Sequence, residues 1–280
     1  MLSHFDPSLN AEKDTDTDQT QASSSSPGVK VPIIGFSATF SRHDGLALGS
    51  VFQRIVYHKD FLSMITERWL SPVRFTVIRA KLDLSSVKTL SASGGGDFQT
   101  TSLAKHVNTE QINELIVRTW LDRCWGTDKT RPRRRSTLAF CVNVSHVHAL
   151  TDAFREKGID ARSLTGETPM KERAQLLEGF RKQNFPVLVN CAILTEGADL
   201  PAIDCVVLAR PTRSRNLFSQ MIGRGMRLSP ATGKTDCLVL DLVGNVEKGD
   251  GVVCSPTLFG LSADDDIDGE ARLPSFIPQP

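Results

Sequence analysis

The stretch Ser136–Leu164, STLAFCVNVSHVHALTDAFREKGIDARSL, decides the fold. TLAFCV is a short apolar run of the kind that forms a strand covered on both faces. SHVHALTDAFREKG reads as a helix, with Gly158 at the position where helices turn off into a left-handed residue. IDARSL then reads as a second short strand. Strand, helix and strand in that order make a right-handed βαβ unit on a parallel sheet. The alternation continues with the helix TPMKERAQLLEGFRKQ, which has Pro169 near its first turn, and the buried strand FPVLVNCAI. IDCVVLAR, RNLFSQMIGRG and DCLVLDLV follow as strand, helix and strand. The expectation is an α/β fold, a parallel sheet with helices on both faces, complete within residues 106–260.

Outside that span the pattern is less regular. Residues 1–30 end in QASSSSPG, a polar, low-complexity segment that cannot bury enough apolar surface to order itself. Residues 31–90 hold the strand-like KVPIIGFSATF, the β-patterned RIVYHK, the helical DFLSMITERWL and the alternating VRFTVIRAKLDL. These strands are too few to stand alone, so the segment reads as the tail end of a preceding domain. SASGGGDFQTTS, within residues 91–105, reads as a flexible insertion by composition. The helical INELIVRTWLDRCW and the cationic loop DKTRPRRRS follow, and residues 261–280 form an acidic tail.

The bulk chemistry is that of a globular protein, with 40% hydrophobic and 23% charged residues. No apolar run approaches the roughly 18–20 residues of a membrane-spanning helix. The start, MLSHFDPSLNAEKDTDTDQTQ, is acidic and lacks both a secretory signal's apolar centre and a transit peptide's arginines. An intracellular protein with no visible address is expected. The net charge of +1 conceals a split, because residues 31–260 hold 30 basic and 22 acidic side chains between two acidic tails. A basic body suits a polyanionic partner, and ordinary surface charge is the plainer alternative. Six cysteines occur singly, with no CxxC pair, so a zinc site is not expected and reduced thiols are.

Two phosphate-like signatures meet in QMIGRGMRLSPATGKT, Gln220–Thr235. The ending GKT is not a phosphate-binding loop: Leu228 stands where that loop's first glycine belongs, and a strand rather than a helix follows. Lys234 is therefore expected as an exposed turn residue. Gln220, Arg224 and Arg227 fall four and three apart, which would put them on one helix face. Two guanidinium forks and an amide there fit a terminal phosphate, and a solvated basic helix end is the alternative. Gly223 and Gly225 each cost a helix roughly 1 kcal/mol relative to alanine, a cost accepted where a helix ends or something approaches closely. The run at Arg131–Arg135 is a candidate DNA patch, or simply a solvated loop.

QMIGRGMR resembles motif VI of the superfamily 2 helicases, the element carrying an arginine finger. TLAFCVNVSHVHAL resembles motif IV, and LTGETPMKERAQLLEGFR the Thr-Gly element that tracks a nucleic-acid strand. VLVNCAILTEGADLPAIDCVVLARPT resembles motif V, and GFSATF motif III, which closes the first RecA-like domain. The resemblance runs from about Val31 to Gly260 and is nearest in flavour to DEAH-type DNA helicases, including fungal mitochondrial branch-unwinding enzymes and bacterial restriction translocases. It implies a complete C-terminal RecA-like domain preceded by the remnant of a first one.

By that resemblance Arg227 is the finger, Arg224 its companion, and Gln220 couples the γ-phosphate to the helix. Glu196, Gly197 and Asp199 are expected at the nucleotide cleft, with Asp199 facing the ribose or the motif VI arginines, or else acting as a turn carboxylate. Strand contact is expected from Thr165 with Gly166 and from Thr195, through small polar groups that position phosphates without reading bases. Ser37, Thr39 and Arg42 would relay the nucleotide state between domains, or serve local turns. The complete enzyme would use ATP and Mg2+ and act on nucleic acid, DNA being the expected strand, in mitochondrion or nucleus.

The phosphate loop and DEAD or DEAH box that precede motif III in the family are absent from this sequence, and no Mg2+ ligand is identifiable. The acidic SADDDIDG lies at the other end, with no strand before it. The expectation is that this chain alone does not turn over ATP and represents a truncated form of a longer enzyme, needing its N-terminal domain in cis or in trans. A non-catalytic nucleic-acid-binding module and a Rossmann-type nucleotide-sugar transferase are the competing readings.

Overall fold

The computed structural model describes residues 34–36, 52, 54–59, 61–80, 82–90, 96–125, 133–195, 199–243 and 252–254. The chain divides into two compact units, Met1–Lys59 and Asp60–Pro280, and the sheet lies in the second. After a short helix α1 (Phe61–Thr66) come strand β1 (Val73–Arg79) and helices α2 (Thr100–Val107) and α3 (Glu110–Trp120). The alternating part follows: β2 (Thr137–Phe140), α4 (Val144–Glu156), β3 (Ala161–Leu164), α5 (Met170–Arg181) and β4 (Val187–Asn190). It closes with β5 (Cys205–Leu208), α6 (Arg215–Gly223) and β6 (Cys237–Val243).

All the pairings are parallel and the spatial order is β1-β6-β5-β2-β4-β3. Strand β2 sits between β4 and β5, and every one of its residues is buried. Its period of two divides the core: Leu138 and Phe140 point to one face, Ala139 to the other. The second face is built around Trp120, which stacks on Trp125, meets Phe154 edge-on and donates its indole N–H to Thr137 Oγ1 at 2.9 Å. That bond satisfies the one polar atom the ring brings inside.

Helix ends follow their local chemistry. Thr109, Asn143 and Ser214 cap α3, α4 and α6 by accepting N–H bonds from Ile112, His146 and Leu217. Gly158 takes φ +77° just past α4 and returns its N–H to Arg155 O, as its position predicts.

Three expectations differ from what is observed. Val73–Arg79 was assigned to the tail of a preceding domain, yet it pairs in parallel along β6, from Val73 opposite Cys237 to Arg79 opposite Val243. Strand partnership is set by pairing across more than half the chain, which a local pattern does not reveal. Residues 91–105 were read as a flexible insertion from their composition. Residues 91–95 lie outside the described part, but Phe98 is buried and Thr100 begins α2. Residues 54–59 do not form the expected strand, and Ile55, Val56 and Tyr57 are exposed. The six cysteines are free, as expected, five of them buried.

One buried network carries a titratable group. His146 is fully buried, receives Val142 N–H on Nδ1 at 3.3 Å, and so donates Nε2–H to Asn113 Oδ1 at 3.0 Å. Asn113 in turn donates to Asn108 Oδ1 at 3.1 Å. Burial lowers the His146 pKa to about 4. Between that value and the ordinary 6.5 the unfolded chain takes up a proton that the folded chain refuses, so stability falls as pH falls through that window. The stability advantage over His146→Gln should therefore shrink by about 3 kcal/mol between pH 7 and pH 4, measured by urea unfolding.

Candidate functional site

In a parallel sheet the loops leaving the carboxyl ends of the strands gather along one edge, where such folds place their ligands. After β3 the chain turns through Thr165–Thr168. Thr165 is buried; its hydroxyl accepts Glu167 N–H at 3.3 Å and its carbonyl accepts Thr168 N–H. The residue expected to offer a hydroxyl to a strand thus shapes the turn, and Gly166 beside it is the exposed position.

After β4 the chain is held by Asn190, a fully buried side chain that the sequence reading passed over. Its amide donates to Ala139 O on β2 at 3.0 Å, and its carbonyl oxygen accepts Leu194 N–H at 3.3 Å. Asn190 therefore ties the loop to the central strand. Within the loop Ala192 adopts φ +59°, a conformation that costs a non-glycine residue energy, and Thr195 Oγ1 donates to Ala192 O at 3.0 Å. Glu196 and Gly197 lie outside the described residues, as do Ser37, Thr39 and Arg42.

Beyond β5 the chain passes Arg210 and Arg213 before α6. Asp97 meets both, accepting Arg210 Nη2 at 3.0 Å and Arg213 N–H at 2.9 Å. The Arg210–Asp97 pair is largely buried, so the segment read as flexible is fastened to the approach to α6. Local sequence carried no signal for this contact.

Helix α6 ends at Gly223, and that alters the predicted single face. Arg224, at the C-cap, keeps helical angles and its Nε donates to Gln220 O at 3.5 Å. Arg227 lies past the helix, where Nη1 donates to Asp199 Oδ1 at 2.6 Å. The arginine and the carboxylate proposed to face it are brought together, although 28 residues separate them. Gly225 is needed for packing: a β-carbon there would collide with Cys237 Sγ and stand 3.0 Å from Val206 Cγ2. At Gly223 the same addition meets open space.

Gly233 has φ +73° and caps the short turn Pro230–Thr232, which leads into β6, so GKT is not a phosphate loop. Lys234 is not the exposed turn residue expected. It is half-buried, and Nζ donates to Gly225 O at 2.6 Å, Arg227 O at 2.7 Å and Pro201 O at 3.3 Å. Burial lowers its pKa.

The arginine run divides at the amino ends of the strands. Arg134 is buried and paired with Asp236, which also meets Arg74 at 3.1 Å. Arg133 lies 3.3 Å over the Trp125 ring, and Arg135 is exposed. A cavity of about 390 Å3 there is lined by these arginines, Lys234 and the carboxylates Asp204 and Asp236. Arg131 falls outside the described residues. Among the described residues no cluster of three His, Cys, Asp or Glu side chains could hold a metal ion, and no helix is long and apolar enough to cross a membrane.

Residues 112–229 match one family model, the helicase conserved C-terminal domain. Those residues are a helicase C-terminal domain. The match opens inside α3 and ends two residues past Arg227, while β1 and β6, outside it, complete the sheet.

The chain is 43% identical over 236 residues to the Saccharomyces cerevisiae protein named as ATP-dependent helicase IRC3, covering 84% of this chain and 32% of that protein. It is 44% identical over 236 residues to the Schizosaccharomyces pombe protein named as mitochondrial ATP-dependent helicase irc3, covering 84% and 36%. The chain thus spans about a third of the length of these relatives. A fragment from Vibrio vulnificus, described as the HsdR subunit of a type I restriction enzyme, shares the fold at a TM-score of 0.56 with 23% identity. It covers 75% of this chain and 39% of that one. The helicase C-terminal domain is the RecA-like module of superfamily 2 nucleic-acid helicases, as the sequence resemblance implied.

The two glycines at the α6 exit differ, Gly225 being packed against the sheet and Gly223 facing open space. Gly225→Ala should lower stability by about 1–3 kcal/mol through overpacking. Gly223→Ala should raise it by up to about 1 kcal/mol through helix propensity. Urea unfolding of both variants checks the opposite signs.

Proposed function

We propose that this chain supplies the arginine half of the ATP site, and part of the strand-binding surface, of an ATP-dependent helicase or translocase acting on DNA. The observation that carries the reading is the Arg227–Asp199 contact, made where α6 ends beside the starts of β5 and β6. Arg227 is about one-third exposed and Asp199 largely exposed, at 35% and 83%. An exposed pair of this kind is worth roughly 0–1 kcal/mol. It therefore orients the guanidinium while adding little to stability.

ATP would lie between this domain and an N-terminal RecA-like domain. The described residues fit only the arginine side of such a site, because they include no phosphate cradle and no metal-holding carboxylate cluster. When bound, ATP supplies the phosphoryl group whose developing charge an arginine can stabilise, an effect worth about 10³–10⁵ in rate. Arg227 is the finger in this reading, Arg224 braces it at the end of α6, and Gln220 lies one turn back on the same helix. Glu196 and Gly197 would complete the cleft beside Asp199. Mg2+ would be held by the other domain, and Ser37, Thr39 and Arg42 would carry the nucleotide state between the two.

Gly166 and Thr195 would meet the nucleic-acid backbone, with Thr165 setting the turn that presents Gly166. Contacts of this type hold phosphates irrespective of base. The name of the Schizosaccharomyces pombe relative supports a mitochondrial setting. Nothing in the matches supports a nucleotide-sugar transferase.

Fusing the chain behind the N-terminal portion of the Saccharomyces cerevisiae relative should give DNA-stimulated ATP hydrolysis. Arg227→Ala in that fusion should abolish turnover and leave single-strand affinity within about twofold, since the finger acts on transition-state charge. Turnover that persists in the variant would remove Arg227 from the finger role. DNA binding that persists with no hydrolysis in any fusion would favour the non-catalytic module.

A further inference from the structure

We infer that Lys234 is a positioning residue that holds the finger segment and the motif V exit in one fixed relation, an inference that rests on Arg227 being the finger. An ammonium group has three donors, and here each has a carbonyl. Two belong to Gly225 and Arg227, on either side of Met226, and the third to Pro201. Pro201 lies two residues past Asp199, so one nitrogen joins the segment carrying the guanidinium to the segment carrying its carboxylate partner.

The need for such a group arises just past the helix. The last carbonyls of α6, Met221, Ile222 and Gly223, are taken by the N–H groups of Arg224, Gly225 and Met226, and the carbonyls of Gly225 and Arg227 beyond them take theirs from Lys234. Gly225 lies close against the sheet, because a β-carbon on it would meet Cys237 Sγ and Val206 Cγ2. A cation on the open side completes the seat. Lys234 is itself placed by the left-handed turn at Gly233 and by the start of β6, where Cys237 N–H bonds Pro72 O at 2.8 Å. The finger segment is thus gripped between a packed strand and one ammonium. Removing the ammonium would free the backbone that aims Arg227 while leaving the sheet's own bonds in place.

The test begins with the intact 280-residue chain. In the unaltered protein the Lys234 ammonium protons should exchange slowly enough to be seen by NMR, and failure to see them at low temperature and mildly acidic pH counts against the clamp. In Lys234→Met, amide exchange at Met226, Arg227 and Leu228 should quicken by about tenfold, with β4 and β5 unchanged, because charged hydrogen bonds are lost locally. Lys234→Arg should restore part of the protection. Unchanged exchange, or acceleration spread evenly through the sheet, overturns the inference.

In the fusion enzyme Lys234→Met should lower kcat by about tenfold with KM for ATP retained. It should add less than about twofold when placed on Arg227→Lys, since two residues acting through one group are not additive. Full additivity would show that Lys234 acts elsewhere. Turnover surviving Arg227→Ala would sink the finger reading alone, and the exchange measurements would still decide the clamp.

Discussion

Parallel pairing along the six strands is the constraint from which the rest follows. A parallel sheet cannot be closed by tight turns, so each connection crosses a face, and both faces must be covered by helices. That demand explains the unbroken burial of β2, β4 and β5 and the division of the core into two clusters. It also brings the loops after β3 and β4, with Gly166 and Thr195, to one edge, while α6 crosses back and leaves Arg227 beside the starts of β5 and β6.

Three polar groups anchor the connections between these strands, mostly through backbone partners. Asn190 pins the loop after β4 to the central strand. Asp97 fastens the entry to α6, and Lys234 gathers the carbonyls at its exit. These buried or half-buried bonds are costly to break, because the group left behind would face no water. By contrast Arg227 and Asp199 are held by an exposed pair of small worth. The frame is built on buried bonds, and the Arg227–Asp199 pair it carries lies at the surface.

A further charged group lies at the amino edge of the sheet. Arg134, Arg74 and Asp236 form a buried or half-buried triad at the start of β6. Burial opposes the charge on Arg134, and the Asp236 carboxylate outweighs it, keeping the guanidinium's pKa raised. The arginine run therefore contributes one residue to the core, one to stacking on Trp125 and one to the surface. A cluster of like charges in sequence became three separate environments in space.

What could be read from the sequence was what depends on near neighbours. Strand and helix alternation over 136–243, the Gly158 turn and the order of the helicase motifs all follow from spacing within a few tens of residues. The rejection of GKT as a phosphate loop belongs here too, because the element that follows it is local information. The tertiary structure alone decided what depends on distant partners. It placed Val73–Arg79 in this sheet, turned a glycine-rich insertion into the anchor for Arg210, and buried Thr165. It ended α6 at Gly223, since Gly225 must lie against Cys237 and Val206. It also made Lys234 a clamp, because only folding brings the carbonyls of Pro201, Gly225 and Arg227 to within reach of one nitrogen. A hydrogen-bond donor in a sequence has no known acceptor until the chain has closed, and that is why the anchors of this site were invisible while its motifs were plain.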